Sequence, residues 1–456
     1  MVRFMKIFFE TFGCSANQAS AETMLGIIRS MGFDLTSEAD ADIYICNSCT
    51  VKYTTEQKIL HKIRLFGERG KDVIVTGCMP EVQLDLILNA NPEAYILGVR
   101  SVNGLRRLLQ KLAGKNKSAD EITENHNYVP VRVSSKTPDG FLNLPKIRYH
   151  QNIHICQIST GCIFGCSYCI VRLARGDLVS FSPADIVSDI KAAVAEGCSE
   201  IWLTSQDDSQ YGMDFSQDSP DAGTRLPELL KQIAGIPGGF KVRVGMMNPF
   251  SIKPILPELV DAFDHPKIYK FLHLPIQSAS ENVLKTMSRH YTMNDVGEII
   301  SAFKDRFSDL TLFTDIIVGF CGETDEDFEK TAEWVRKYKP DKVNISKYSP
   351  RPGTKAFPLR NLDSRILTAR SKELTKMTDG LKQETKNQRI GKTEDVFISK
   401  YGKESGVLAR TADYKPVVLN EAGLNPGMSA KIKIVEATPG YFIGELIEII
   451  GNNEKE

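Results

Sequence analysis

The sequence has no excess of either charge: over 456 residues, 57 Lys and Arg stand against 57 Asp and Glu. Whole-chain charge therefore gives no support to nucleic-acid binding, and any such surface must be local. No apolar run approaches the roughly 18–20 residues that span a bilayer. The start, Met1–Glu10, is too short and too polar for a signal peptide. The expectation is a cytoplasmic chain with no membrane association. Disulfides are rare in such a compartment, so the ten cysteines point to metal or redox chemistry. The length allows about two to four domains, and the composition is ordinary for a globular protein.

What is present is a cysteine loop. Gly161–Gly176 reads Gly-Cys-Ile-Phe-Gly-Cys-Ser-Tyr-Cys-Ile-Val-Arg-Leu-Ala-Arg-Gly, with Cys162, Cys166 and Cys169 spaced C-x3-C-x2-C. A structural zinc site takes four ligands and closes completely. No nearby His or Cys completes such a set, although a zinc knuckle with a distant fourth ligand stays open. A cubane iron–sulfur cluster held by three thiolates keeps one iron open. An amine and a carboxylate can chelate that iron, and S-adenosylmethionine carries both. Gly161 and Gly165 would let the backbone wrap the cluster closely.

Residues 4–130 alternate strands and helices, the pattern of an open α/β sheet. Strands at Met5–Glu10, Ile43–Cys46 and Val73–Thr76 each lead into a cysteine: Cys14, Cys49 and Cys78. Ligands gather at the carboxyl ends of parallel strands, so the three can converge. Buried structural cysteines are the other reading. Cys46, inside its apolar strand, reads as a core thiol. Leu105–Leu112 reads as a helix with a basic face (Arg106, Arg107, Lys111, then Lys115 and Lys117), either solvated or facing RNA. Residues 114–150 read as a polar linker over the surface.

From His154, about six β/α units follow, too few for an eight-stranded barrel and suited to an open partial one. Polar clusters after its strands share the rim where barrel chemistry sits. They include Ser205 and Gln206, Asn248, Gln277 and Ser278, Gly319, and Tyr348–Gly353. His273 reads as a satisfied barrel-interior histidine. Arg365–Lys392 is a basic helix, either plainly exposed or facing phosphates. Glu394–Ile449 holds five short strands, a small antiparallel barrel of a kind that often binds nucleic acid.

The cysteine loop, with Tyr168 before its last cysteine, resembles the radical S-adenosylmethionine superfamily. The order of parts resembles its methylthiotransferases: Thr-Phe-Gly-Cys14, Asn-Ser-Cys49 and Gly-Cys78-Met, then the radical loop, then a small β domain. The resemblance implies a flavodoxin-like N-terminal domain (1–135), a radical domain (148–385) and an RNA-binding TRAM domain (388–451). Leu173–Gly176, Glu200–Ser205, Phe271–Ser280, Thr314–Phe328 and Tyr348–Thr354 are similar to the archaeal and eukaryotic branch. That branch acts on N6-threonylcarbamoyladenosine at position 37 of tRNA. Gln206 stands where the branch more often has Glu, and Cys321 where Pro is usual. The carboxy-terminal membrane segment of eukaryotic members has no counterpart, which favours an archaeal-type enzyme.

The resemblance further implies two [4Fe–4S] clusters, one on Cys162, Cys166 and Cys169 and one on Cys14, Cys49 and Cys78. S-Adenosylmethionine is then both radical source and methyl donor. No protein acid, base or nucleophile can place sulfur on an unactivated adenine carbon, so a cofactor must supply a radical. Tyr168, Ser205, Gln206, Gln277, Ser278, Asp315 and Gly319 are the expected cofactor contacts. Arg175 is expected to pair with a carboxylate of the cofactor or of the threonyl group. Expected partners are the tRNA anticodon stem-loop, an electron donor of ferredoxin or flavodoxin type and a sulfur source, with the protein a monomer. Alternatives are isopentenyladenosine tRNA or a ribosomal protein as substrate, a radical methyltransferase, and a non-catalytic iron–sulfur RNA-binding protein.

Overall fold

The structure is a computed structural model and describes residues 5–115, 132–133, 138, 141–402 and 406–450. Strands β1 (Lys6–Thr11), β2 (Asp34–Leu35), β3 (Ile43–Ser48), β4 (Asp72–Gly77), β5 (Tyr95–Leu97) and β6 (Arg132–Val133) form one parallel sheet. Their order is β2-β1-β3-β4-β5-β6, the doubly wound, flavodoxin-like arrangement. Helices α1 (Ser15–Ser30), α2 (Tyr53–Glu68), α3 (Met79–Val82), α4 (Leu84–Ala90) and α5 (Gly104–Lys115) surround it. Every residue of β3 is buried, as a strand covered on both faces requires. Ile43 and Ile45 pack with α1 and α5, whereas Tyr44 and Cys46 pack with α2 and α4. Cys46 is thus the core thiol expected of it. On α5, Arg107 and Lys111 are exposed, while Lys117 lies outside the described residues.

The second unit begins at β7 (Ile153–Gln157). Next, β8 (Ser159–Thr160) and β9 (Val179–Ser180) form a small antiparallel pair flanking the cysteine loop and α6 (Ile170–Arg175). Five further strands follow: β10 (Glu200–Thr204), β11 (Lys241–Arg243), β12 (Phe271–His273), β13 (Thr311–Val318) and β14 (Lys342–Lys347). Between them run α7 (Pro183–Ala195), α8 (Leu226–Ala234), α9 (Pro249–Ile252), α10 (Leu256–Phe263), α11 (Glu281–Thr286), α12 (Met293–Arg306) and α13 (Asp325–Tyr338). Two parallel three-stranded sheets, β11-β10-β7 and β12-β13-β14, meet through bridges from Val242 to Ile268 and from Met246 to His273. The result is the open partial barrel expected. β12 stops at His273, sooner than its apolar run, and Pro275, with no N–H to donate, follows two residues on. Ser182 caps α7 by accepting from the Ala184 N–H, with Pro183 in the first turn.

Residues 141–149 correct the expectation of a surface linker. Phe141 is buried, and the Pro145 carbonyl lies so close to Gly26 of α1 that a Cβ there would approach it to 1.9 Å. Lys146 pairs with Asp189 of α7 at 2.7 Å, and both side chains are buried. The segment is a strap seated between two domains. The rest of the expected linker, apart from Gly114, Lys115, Arg132, Val133, Pro138 and His150, lies outside the described residues.

Helix α14 (Ser364–Asn387) leads to β15 (Thr393–Tyr401), β16 (Val407–Thr411), β17 (Pro416–Leu419), β18 (Ser429–Ala437) and β19 (Phe442–Ile450). They close a barrel in the order β15-β16-β17-β19-β18, antiparallel except for β17 and β19, which pair in parallel. This barrel docks on the amino ends of the larger barrel's strands. The Lys270 N–H donates to the Ala412 carbonyl at 2.9 Å, and Lys415 pairs with Asp341 at 3.1 Å. Tyr414 stacks edge-on against Tyr269 at 4.8 Å. Arg370 of α14 is buried against Glu323, so part of this basic helix serves packing. Among the described residues, no helix is long and apolar enough to cross a membrane.

Candidate active site

The cysteine loop sits where β8 leaves the barrel's carboxyl face. Gly161 needs its glycine: φ is +81°, and a Cβ would stand 1.9 Å from the Asp177 carbonyl oxygen. Gly165 has no such close approach; the only heavy atom near its Cβ position is Lys355 Nζ at 3.7 Å. The loop closes on itself through the Cys162 N–H to Gly176 carbonyl bond at 3.2 Å. Gln206 Oε1 accepts from the Gly161 N–H at 2.6 Å. Gln210, which the sequence reading missed, donates from Nε2 to Cys162 Sγ at 3.2 Å and to Asp207 Oδ2 at 2.7 Å.

A cavity of about 180 Å³ opens beside the three cysteines. Tyr168, Gln206 and Gln277 line it, as expected of cofactor contacts, together with Asp207, Asn248 and Arg289. Arg289 also escaped the sequence reading; it follows α11 in no recognisable motif. Its Nη1 lies 3.6 Å from Cys166 Sγ, and its Nη2 donates to the Pro275 carbonyl at 2.9 Å.

Four expected contacts are not among these walls. Ser205 is buried and donates to Asp208 Oδ1 at 2.6 Å. Ser278 is buried against Thr331 at 3.4 Å. Asp315 bonds His273 Nε2 at 3.1 Å and accepts from Asn344 at 2.6 Å, which satisfies that histidine inside the barrel. Gly319 turns the chain at φ +72°, with its N–H on Glu323 Oε2 at 2.6 Å. Ser205, Ser278 and Gly319 follow strands and Asp315 lies within β13, but their side chains or backbone serve the scaffold. Cys321, the other departure from the branch pattern, is a buried thiol 3.6 Å from Asn361 Oδ1.

The second triad converges as the sheet order requires. Cys14, Cys49 and Cys78 follow β1, β3 and β4, around the point where the order reverses. Asn17 ties the three turns together: its Nδ2 donates to the Phe12 carbonyl at 2.7 Å and the Ser48 carbonyl at 2.8 Å, and its Oδ1 faces Cys78 Sγ at 3.9 Å. Cys14 is exposed, on the wall of a second cavity of about 320 Å³, while Cys49 and Cys78 are buried. Burial pushes the thiols of Cys78 and Cys169 up to about 11 each. Both would ionise on metal binding, because a coordinating thiol is deprotonated outright.

Arg175 was expected to pair with a carboxylate of the cofactor or of the threonyl group. It does not line the cofactor cavity; it is 1% exposed and donates to Asn17 Oδ1 at 2.8 Å, beside the second triad. Ala174, its neighbour on α6, packs against Cys78. Arg100 clamps this corner, bonding the carbonyls of Arg175 and Asp177. Helix α6 thus starts at Cys169 of one triad and ends against the other.

The three sulfurs of either triad do not all come within 4.8 Å of one another. Among the described residues, the one set of three such ligand atoms all within 4.8 Å is His154, Cys156 and Asp189. Asp189 is already held there by the Lys146 ammonium, which repels a cation. The looser spacing of the cysteines suits a multi-iron cluster better than zinc.

An open parallel barrel with three cysteines at its carboxyl face defines a radical S-adenosylmethionine protein. The Radical SAM superfamily profile matches residues 156–335, the uncharacterized protein family UPF0004 matches 6–98, and the TRAM domain matches 387–447. A relative from Pyrococcus abyssi named probable threonylcarbamoyladenosine tRNA methylthiotransferase is 38% identical, over 97% of this chain and 100% of its own. The threonylcarbamoyladenosine tRNA methylthiotransferase of Danio rerio is 34% identical, over 97% of this chain and 78% of its own. The chain belongs to the threonylcarbamoyladenosine tRNA methylthiotransferase family. Its radical SAM domain takes a [4Fe–4S] cluster and S-adenosylmethionine. In fold it is similar to the radical methyltransferase TsrM of Kitasatospora setae, at a TM-score of 0.55 and 14% identity over 77% of this chain and 75% of that one.

Proposed function

We propose that the protein converts N6-threonylcarbamoyladenosine at position 37 of tRNA to its 2-methylthio derivative, using a [4Fe–4S] cluster at each cysteine triad. The observation that carries this reading is the placement of six cysteines from two domains at the two ends of α6. Bound there, the clusters and S-adenosylmethionine would supply the radical, the sulfur and the methyl group, none of which a side chain can provide. Cys162, Cys166 and Cys169 would hold the radical cluster, and Cys14, Cys49 and Cys78 the other.

The residues have definite tasks. Gln206 fixes the radical loop through Gly161, and Asp207 aims Gln210 at Cys162. Gln277 and Tyr168 form cavity wall for the cofactor. Arg289 has no carboxylate partner among the described residues and suits a cofactor carboxylate. The target adenine must leave the anticodon-loop stack to reach this cavity. The divisions 1–135, 148–385 and 388–451 follow from this reading. So do the remaining partners: the tRNA anticodon stem-loop, an electron donor of ferredoxin or flavodoxin type and a sulfur source. The reading also takes the protein to act in the cytoplasm, as a monomer.

Anaerobic reaction of the reconstituted protein with modified tRNA tests this directly. Mass spectrometry should find the 2-methylthio nucleoside together with 5′-deoxyadenosine. Methylthiolation of isopentenyladenosine tRNA instead would move the substrate. Iron counts should reach about eight per chain and fall to about four when either triad is replaced by alanine. A wild-type chain holding one cluster would end the two-cluster reading.

A further inference from the structure

Three arginines are buried in the described chain: Arg175, Arg351 and Arg370. Arg351 and Arg370 each hold a carboxylate at 2.6 Å, from Glu56 and Glu323. Arg175 holds none. Its Nη2 donates to the neutral amide of Asn17 at 2.8 Å, and its Nη1 reaches only the Thr160 hydroxyl, at 3.4 Å. A guanidinium stays protonated in proteins, and a buried charge without a counter-ion is strongly disfavoured. Something anionic must face it when the protein is in its working state. The groups that can are the thiols of the N-terminal triad. Cys78 packs on Ala174, and its Sγ shares Asn17 Oδ1 with the arginine. Those thiols become thiolates on taking up metal.

We infer that Arg175 is the built-in counter-cation of the cluster on Cys14, Cys49 and Cys78, a positioning residue lent to the N-terminal site by the radical domain. The inference rests on the two-cluster reading. A fixed positive charge in a site shielded from water favours the more negative form of a neighbouring group. Reduction adds one electron and no proton, so Arg175 raises the reduction potential of that cluster. It also favours an anionic ligand, such as hydrosulfide, over a neutral one at the iron left open. Arg289, 3.6 Å from Cys166, offers the radical triad a similar setting. Each triad therefore has a guanidinium beside it and no carboxylate on that guanidinium. Arg175 is 1% exposed and stands outside the walls of the cofactor cavity, so it faces the thiols and not a carboxylate of the cofactor or of the threonyl group.

The test uses the full chain with Cys162, Cys166 and Cys169 replaced by alanine, so that the N-terminal site alone takes iron. Arg175→Gln and Arg175→Lys are made in that background and reconstituted anaerobically with iron and sulfide. Iron per chain is counted, the midpoint potential is followed by electron paramagnetic resonance, and binding of hydrosulfide is titrated. Arg175→Gln should shift the potential to more negative values and weaken hydrosulfide binding by roughly ten- to a hundred-fold. Arg175→Lys, which keeps the charge, should recover most of both. If the Gln chain no longer keeps its iron, recovery of iron by the Lys chain carries the same conclusion. Equal potentials and affinities for Arg and Gln, or a Lys chain that behaves like the Gln chain, overturn the inference. A parent that binds no iron removes the two-cluster reading and this inference with it. A parent with about four irons and no effect of Arg175 leaves that reading intact. The same substitutions in the otherwise unaltered chain, read as iron per chain, decide the matter should the triple variant not fold.

Discussion

Arg351 of the barrel reaches into the N-terminal domain and pairs with Glu56 at 2.6 Å, with side chains 6% and 5% exposed. The guanidinium also donates to the Val51 carbonyl at 2.6 Å, and Gln83 donates to the same Glu56 oxygen at 2.5 Å. The pair joins the Arg-Pro-Gly-Thr loop of one domain to the first turn of α2 in the other, seven residues beyond Cys49. It is a latch between the two cysteine sites.

Removing one half of this latch should hurt more than removing both. Arg351→Met leaves the Glu56 carboxylate buried and uncompensated, which typically costs about 3–5 kcal/mol. Adding Glu56→Gln should restore much of that loss. Denaturant unfolding of the two single variants and the double variant, treated as a cycle, measures the coupling. Additive losses would show that the pair does not hold the domains together.

Gln206 should matter as an acceptor and not for its amide group as a whole. Its Oε1 takes the Gly161 N–H at 2.6 Å, and Glu at this position offers the same oxygen. Gln206→Glu should therefore bind S-adenosylmethionine much as the parent does. Gln206→Ala strands a backbone donor at the start of the cysteine loop and should weaken binding by roughly tenfold. Equilibrium binding to the cluster-loaded protein distinguishes the two.

The strap at 141–149 should make the fold sensitive to acid. His154 is lowered to about 4, first by burial and then by the Lys146 ammonium. Unfolded, it titrates near 6.5, so between those values the unfolded chain binds the extra proton and stability falls as pH falls. The full effect is about 3 kcal/mol by pH 4. Asp189 is pulled down as well: burial works to raise it, but the His154 hydrogen bond and the Lys146 ammonium outweigh that. Its contribution is present above the ordinary carboxylate range and is lost only below it. Urea midpoints at pH 7 and pH 5 should diverge for the parent and converge for His154→Gln. Equal sensitivity in both would remove His154 from the account.

Features that repeat along the chain were open to sequence reasoning. Three cysteines after three strands, three more at fixed spacing in one loop, the β/α alternation and the five short strands of the tail each carry a pattern, and the structure follows them. Orientation was not open in the same way. Ser205 and Gln206 are adjacent at one strand end, yet one turns into the scaffold and the other toward the cysteine loop. A loop has no fixed period from which to tell them apart. Arg289 carries no motif, and Arg175 carries one whose target lies 158 residues away at Asn17. The strap read as a linker because its prolines and polar residues are those of a loop. Its burial comes from neighbours on α1 and α7 that no local pattern reveals.

The short helix α6 has a consequence for how this stretch can vary. Cys169 stands at its N-cap and Arg175 in its last turn. Each residue added or removed between them would turn the arginine by about 100° and shift it by about 1.5 Å along the axis. Leu173 is exposed on this helix, so its side chain can change in kind at little cost to packing. The number of residues cannot change. The segment tolerates a different spelling but not a different length, and two sites from separate domains stay in phase because of it.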